Sequence, residues 1–486
     1  MIRSDRELRA RTSALADFER ALAEHRALVV APSETARHDL EARALVDKIE
    51  EIRAEVETYE ALRRGDRVSA PLDSLRDLPQ ILIKARIASG LTQRVLAEQL
   101  GVREQQIQRD ESTGYAGASF DRLAAVAEAL GVRLGQDVML PARGASFELL
   151  RTRMREVGVD EELLLERMLP APLVAAIREE EERAADRSQV PLLQAAGLLG
   201  QIYGWSPHAL FGPAPPEPDL TAVGAARFKV PSRAAVRRLT AYAVYAHYLG
   251  LLVLRATPHL APRPVPPDPE VLHRALKGPG DEALFKSALA FAWDHGVAVL
   301  PLADRGAFHG ACWRVQGRNL VVLKQRTRSC SRWLHDLLHE LAHAGAHPEE
   351  ASRAVIEASE SPLERKGSEE ELMADRFAGE AALGPRAEEI VQRCVQAARG
   401  RVERLKAVVP DVARAAGVPV GVLANHLAFR LSLQGVQWWG AATNLQDQNQ
   451  RPWRIARDLL LERLDFGLLK GPDRDLLQQA LTDPEE

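Results

Sequence analysis

Histidines occupy positions 335, 339, 343 and 347 of the stretch LHDLLHELAHAGAH, each four residues after the last. Within it, His339-Glu340-Leu341-Ala342-His343 has the HExxH spacing, in which one helical turn sets two imidazoles on the same face to grip a zinc ion. Glu340 then projects beside them, placed to act as a base toward water activated by the ion. Such a site needs a third protein ligand and an open fourth position, because the water must be both activated and displaceable. Downstream, SEEELMADRFAGE offers Glu371 and Asp375, four residues apart on a predicted helix, so both can face the HExxH helix. Glu371 is the expected ligand, and Asp375 the expected acceptor for a ligating imidazole N–H.

The outer histidines read differently. His335 would lie about 6 Å along the helix axis from His339 and rotated away, which suits packing or substrate contact. His347 follows Gly345, the expected helix end, and could swing back, but the HExxHxxGxxH spacing is absent; it stands as the alternative third ligand. The rival reading of the whole ladder is polar decoration on a solvated face. Trp333, Leu334, Leu337, Leu338 and Leu341 oppose it by making the helix apolar, and a buried Glu340 between buried histidines is costly without a metal or partner. Cys330, at the expected helix start, has Arg326, Arg328 and Arg332 around it. Those charges would favour a reactive thiolate, and the plainer reading is a packed thiol.

The elements that must position these residues begin near 284, where ALFKSALAFAWDHG reads as a helix and VAVLPL, GACWRV and NLVVLKQ as short strands. The histidine helix follows, then another around 368–383, and the remainder to 486 is mostly helical. HELAH, followed about thirty residues later by ExxADxFA (Glu371, Ala374, Asp375, Phe377, Ala378), resembles the ImmA/IrrE family of bacterial metallopeptidases over residues 222–440. The resemblance implies a zinc endopeptidase of gluzincin kind that cleaves a regulatory protein, here a repressor or antitoxin. No residue matches a transition-state donor.

Ahead of that segment, Leu45, Ile49, Ile52, Val56 and Tyr59 form a coiled-coil seam and Leu8, Leu15, Phe18 and Leu22 a second stripe. Residues 1–66 are therefore expected to be a helical hairpin, broken at Pro32 with Ser33 as a cap, and a possible homodimer contact. Residues 79–140 carry short helical patterns punctuated by Gly90, Gly101 and Gly131, about five helices in all; 146–212 echo them weakly, as a degenerate second bundle, and 441–486 form a C-terminal helical segment. LTQRVLAEQLGVREQQIQRDES (91–112) reads as helix, turn, helix, with Ala97 small at the crossing and Val102 and Ile107 turned inward. It resembles the Cro/CI-type (XRE) helix-turn-helix domain. That likeness implies binding to double-stranded DNA, with Glu104, Gln105 and Arg109 at base edges and Thr92 and Gln93 at phosphate.

Composition sets the frame. The chain of 486 residues calls for several domains, and its low aromatic content of 5% with abundant Ala, Leu and Arg favours helices. The fold class expected is mostly α with a small α+β zincin-like (gluzincin) metallopeptidase domain. A formal charge of −4 excludes a general polycation, and the helix-turn-helix segment is itself net neutral, so phosphate attraction is modest and the domain could bind protein instead. Three scattered cysteines give no disulfide framework. With no apolar run near ~18 residues and mixed charge at the N-terminus, no membrane partner and a cytoplasmic location are expected. The function expected is a zinc-dependent endopeptidase with a DNA-binding module; the alternative is a non-catalytic regulator or antitoxin-like protein that uses the peptidase-like domain for sensing or partner binding.

Overall fold

Ser4 opens the first helix of the computed structural model by accepting from the Glu7 N–H, with Asp5 and Glu7 in the first turn, where the helix dipole favours negative charge. The structure describes residues 2–28, 35–64, 75–132, 145–183, 189–205, 207–212, 216, 233–303, 308, 310–325, 327–357 and 369–483. They fall in two units, Met1–Asp137 and Val138–Glu486.

In the first unit, α1 (Asp5–Ala27) and α2 (Thr35–Arg64) pack on each other as a hairpin. They are antiparallel: Tyr59 donates to Asp5 at 3.0 Å at one end and the His25 and His38 rings stack at 4.0 Å at the other. Ile49, Ile52 and Tyr59 of the seam are buried, whereas α1 buries no residue fully. Pro32 and Ser33 lie outside the described residues. The bundle that follows comprises α3 (Leu78–Ala88), α4 (Gln93–Gln99), α5 (Glu104–Ser112) and α6 (Phe120–Ala129); a fifth helix beyond 132 would lie outside the described residues.

The second unit starts with α7 (Phe147–Glu156), α8 (Glu161–Leu163), α9 (Ala171–Glu182), α10 (Val190–Tyr203) and α11 (Pro207–Phe211), the stretch read as a second bundle. Next come α12 (Arg233–Ala256), α13 (Pro269–Ala275) and α14 (Gly280–Asp294). Arg237–Ala256 within α12 is long and apolar enough to cross a bilayer, contrary to the reading that no such run exists, yet 89% of it is buried inside the protein. Its apolarity serves the core: Tyr242, Tyr245, Leu249 and Val253 are inaccessible or nearly so.

Strands β1 (Val297–Leu302), β2 (Gly310–Val315), β3 (Arg318–Lys324) and β4 (Arg353–Glu357) make one sheet in the order β1-β3-β2-β4. β1 and β3 are parallel, and β2 is antiparallel to both β3 and β4. The first three are buried almost throughout, which explains their unbroken apolar runs. β4, RAVIE, was not anticipated; it is short, charged at both ends and at the sheet edge. Then α15 (Cys330–Gly345) and α16 (Glu369–Leu383) pack on each other, followed by α17 (Ala387–Ala397), α18 (Val402–Ala416), α19 (Val420–Leu433), α20 (Trp439–Thr443), α21 (Pro452–Arg463) and α22 (Gly471–Ala480). Residues from Phe147 to Leu481 share one apolar core, so the segments 146–212 and 441–486 join that of the histidine helix. The protein is thus mostly helical with one small mixed sheet.

Candidate functional site

The leucines of α15 face the core and carry the ladder inward with them: His335, His339, Glu340 and His343 are all buried. Buried Arg314 of β2 secures the far end of this helix, donating to the Ala344 carbonyl at 2.6 Å, to that of Ala346 at 3.1 Å and to that of His347. These carbonyls have no partner inside the helix, and a cation there also complements the dipole.

His339 Nδ1 lies 2.9 Å from Asp375 Oδ1, and His343 Nδ1 lies 3.2 Å from Glu370 Oε1. An ionised carboxylate can only accept, so each Nδ1 carries a hydrogen, and Nε2 is the nitrogen each ring turns toward Glu371. Those Nε2 atoms are 3.2 Å apart. Glu371 completes the group, with Oε2 3.2 Å from His339 Nε2 and Oε1 3.6 Å from His343 Nε2. All three residues can bring a ligand atom within 4.8 Å of the others. Ligands ~2.0–2.1 Å from a tetrahedral zinc would be about 3.3 Å from one another, so a His₂Glu set of this spacing fits that ion.

Electrostatics tie the same residues to one another. Burial opposes charge on His343, but Glu370 and Glu371 outweigh it and hold its pKa at about 9. Burial likewise pushes the Glu371 carboxyl up, yet hydrogen bonds from His339 and His343 hold it well below the usual carboxylate range. Glu340, 1% exposed, sits against Gly310 of β2, where an added Cβ would collide with Glu340 Oε1. Beside His343 opens a cavity of about 460 Å³ with largely apolar walls, Pro266, Met373 and Phe377 among them.

The other ladder members stand outside this group. His335 stacks 6.5 Å from His339, its Nε2 4.0 Å from Asp375. His347 is exposed beside Glu349 at 3.4 Å. Cys330 is fully buried, and burial together with Glu282 and Asp281 pushes its thiol up to about 12, so the thiolate reading fails. The nine residues separating it from His339 also place it about 13 Å away along the helix. Two members of the group escaped the sequence: Glu370, hidden in a run of three glutamates, and Arg353, which pairs with Glu370 at 2.5 Å.

In the first unit, α4 and α5 are joined by a turn at Gly101 (φ +65°) and meet at buried Ala97 and Ile107. Arg86 of α3, 3% exposed, grips fully buried Glu111 at 2.5 and 2.8 Å and also donates to the Leu91 and Arg3 carbonyls. This pair fixes α5 against α3; nothing in the helical spacing marked it. Glu104, Gln105 and Arg109 are exposed on α5. Thr92 accepts from the Val95 N–H as the cap of α4, and Gln93 donates to Glu111 at 2.7 Å, so both side chains are engaged within the fold.

Residues 82–136 match the helix-turn-helix family model.

The match covers the Cro/CI (XRE) type of domain and supports a DNA-binding transcription-regulator role. It does not extend to the His339, His343 and Glu371 cluster. No curated protein and no solved structure matches the chain.

Proposed function

We propose that the protein is a zinc-dependent endopeptidase joined to a DNA-binding module, acting on a repressor or antitoxin protein to control transcription in the cytoplasm. The observation that carries this reading is the convergence of His339 Nε2, His343 Nε2 and Glu371, with Glu340 next to the first of them. When bound, zinc would supply Lewis acidity toward a carbonyl and toward water. His339, His343 and Glu371 would hold it, Asp375 and Glu370 orient the imidazoles, and Glu340 takes the proton of the attacking water and returns it to the leaving amine. β4 supports a peptide substrate, since an edge strand offers backbone groups to an extended chain, and Arg353 at its start touches Glu370 beside His343.

The test is a digest of a proteome-derived peptide library by the zinc-loaded protein and by Glu340→Gln. Internal cleavages made only by the wild type support the reading, and identical digests defeat it. The helix-turn-helix match favours a second reading, a regulator whose metal centre only senses or binds a partner. It predicts unchanged DNA occupancy and regulation in cells carrying Glu340→Gln.

A further inference from the structure

The cavity of about 460 Å³ lies at the C-terminal end of α15. Its wall takes His343 and Ala346 from that end and Glu370, Met373 and Phe377 from α16, but none of His339, Glu340 and Glu371. Pro266 belongs to it as well. The chain is anchored just before that proline: Val265 is buried, and its carbonyl oxygen lies 3.1 Å from where a Cβ on Gly345 would stand. The cavity is therefore built into the fold, as ligand pockets usually are.

Size and charge state the class of occupant. Ligand pockets run from about 300 to 1,000 Å³. An apolar cavity of about 150 Å³ accepts benzene, so 460 Å³ has room for about three such rings, more than one peptide side chain would fill. The ionisable groups on the wall are engaged or in water: Glu370 pairs with His343 at 3.2 Å and with Arg353 at 2.5 Å, His347 with Glu349 at 3.4 Å, and Glu369 is exposed. A charged ligand would have to compete with these pairs, which favours a neutral one. Met373 is 66% exposed despite its apolar side chain, and an unbranched thioether adapts to varied apolar surfaces.

We propose that this cavity binds a neutral, largely apolar small molecule of two or three rings, and that its occupancy is coupled to metal binding through Glu370. The Glu370 side chain is 45% exposed, so water screens its bond to His343. A ligand seated against it displaces that water and strengthens the bond. The coupling rests on the zinc reading, whereas the binding does not.

Fluorescence titration of the full-length, chelator-treated protein with N-phenyl-1-naphthylamine, a neutral apolar dye, tests the site. Saturable binding is expected at one site per chain. Met373→Asp, at an exposed position, and Ala346→Phe, which fills the cavity, should each weaken binding about tenfold or more with the melting temperature retained. Met373→Leu should bind as the wild type does. Zinc should tighten dye binding about fivefold or more, the dye should tighten zinc binding by the same factor, and Glu370→Gln should abolish this mutual effect. No saturable binding, or wild-type affinity in both Met373→Asp and Ala346→Phe, would overturn the site. Competitive displacement of the dye by a capped peptide of alternating leucine and serine would overturn it too, by giving the cavity to the substrate chain. Dye affinity indifferent to bound zinc would overturn the coupling alone, and a protein that takes up no zinc would overturn the coupling and the peptidase reading together while the site stands.

Discussion

Asp375→Asn and Glu370→Gln each take one charge from behind an imidazole of the triad while preserving shape, and their unequal settings make the comparison quantitative. Asp375 is fully buried and 2.9 Å from its imidazole nitrogen. Glu370 is 45% exposed, 3.2 Å from its own, and shares Oε1 with Arg353. Loss of such a supporting carboxylate costs about 10- to 100-fold in metal affinity. Solvent screening places Glu370→Gln at the low end, about tenfold or 1.4 kcal/mol, and Asp375→Asn near 100-fold or about 2.8 kcal/mol. Competition for zinc against a chelator of known affinity, at fixed pH and with melting curves to verify folding, measures both. An equal or larger loss in Glu370→Gln would refute the reasoning, as would wild-type affinity in both variants.

Other outcomes follow from the same geometry. Glu340→Gln should keep full zinc by metal analysis and lose about 10²- to 10⁴-fold in turnover, whereas Glu371→Ala should lose the metal. Arg86→Ala leaves Glu111 charged and buried without its partner, so denaturant melting of the helix-turn-helix unit should show a loss of about 3–5 kcal/mol; exposed Arg109→Ala should leave melting unchanged and cost about 1–3 kcal/mol on a specific DNA site. Burial lowers the His247 pKa to about 4 from 6.5. The unfolded chain therefore binds the proton first, so stability is full above pH 6.5 and falls as pH drops toward 4, by up to about 3 kcal/mol; urea midpoints should show this slope, reduced in His247→Phe. A thiol reagent should leave Cys330 unmodified in the native protein, as peptide mapping will show.

The HExxH helix and its ExxxD companion were legible because helical periodicity alone places His339, His343, Glu371 and Asp375 on facing surfaces. Glu370 was not, since three consecutive glutamates give no means of choosing which two turn inward. Arg314, Arg353 and the Arg86–Glu111 pair depend on neighbours distant in sequence, and an isolated arginine in a strand or helix looks like surface. β4 failed for a related reason: its ends are charged because one side of an edge strand needs no partner. Gln93 shows the limit of a family pattern, which gave its position in the motif but not its bond to Glu111.

Gly310 adds a constraint that reaches beyond this one chain. Because the Glu340 carboxylate occupies the space where a side chain at 310 would begin, the two positions are not free to vary separately. In any lineage that keeps the glutamate as a base, position 310 should stay glycine. If the proposed catalysis is what holds the glutamate, a lineage without it would be released from both, and substitution at 310 would be an early mark of that release.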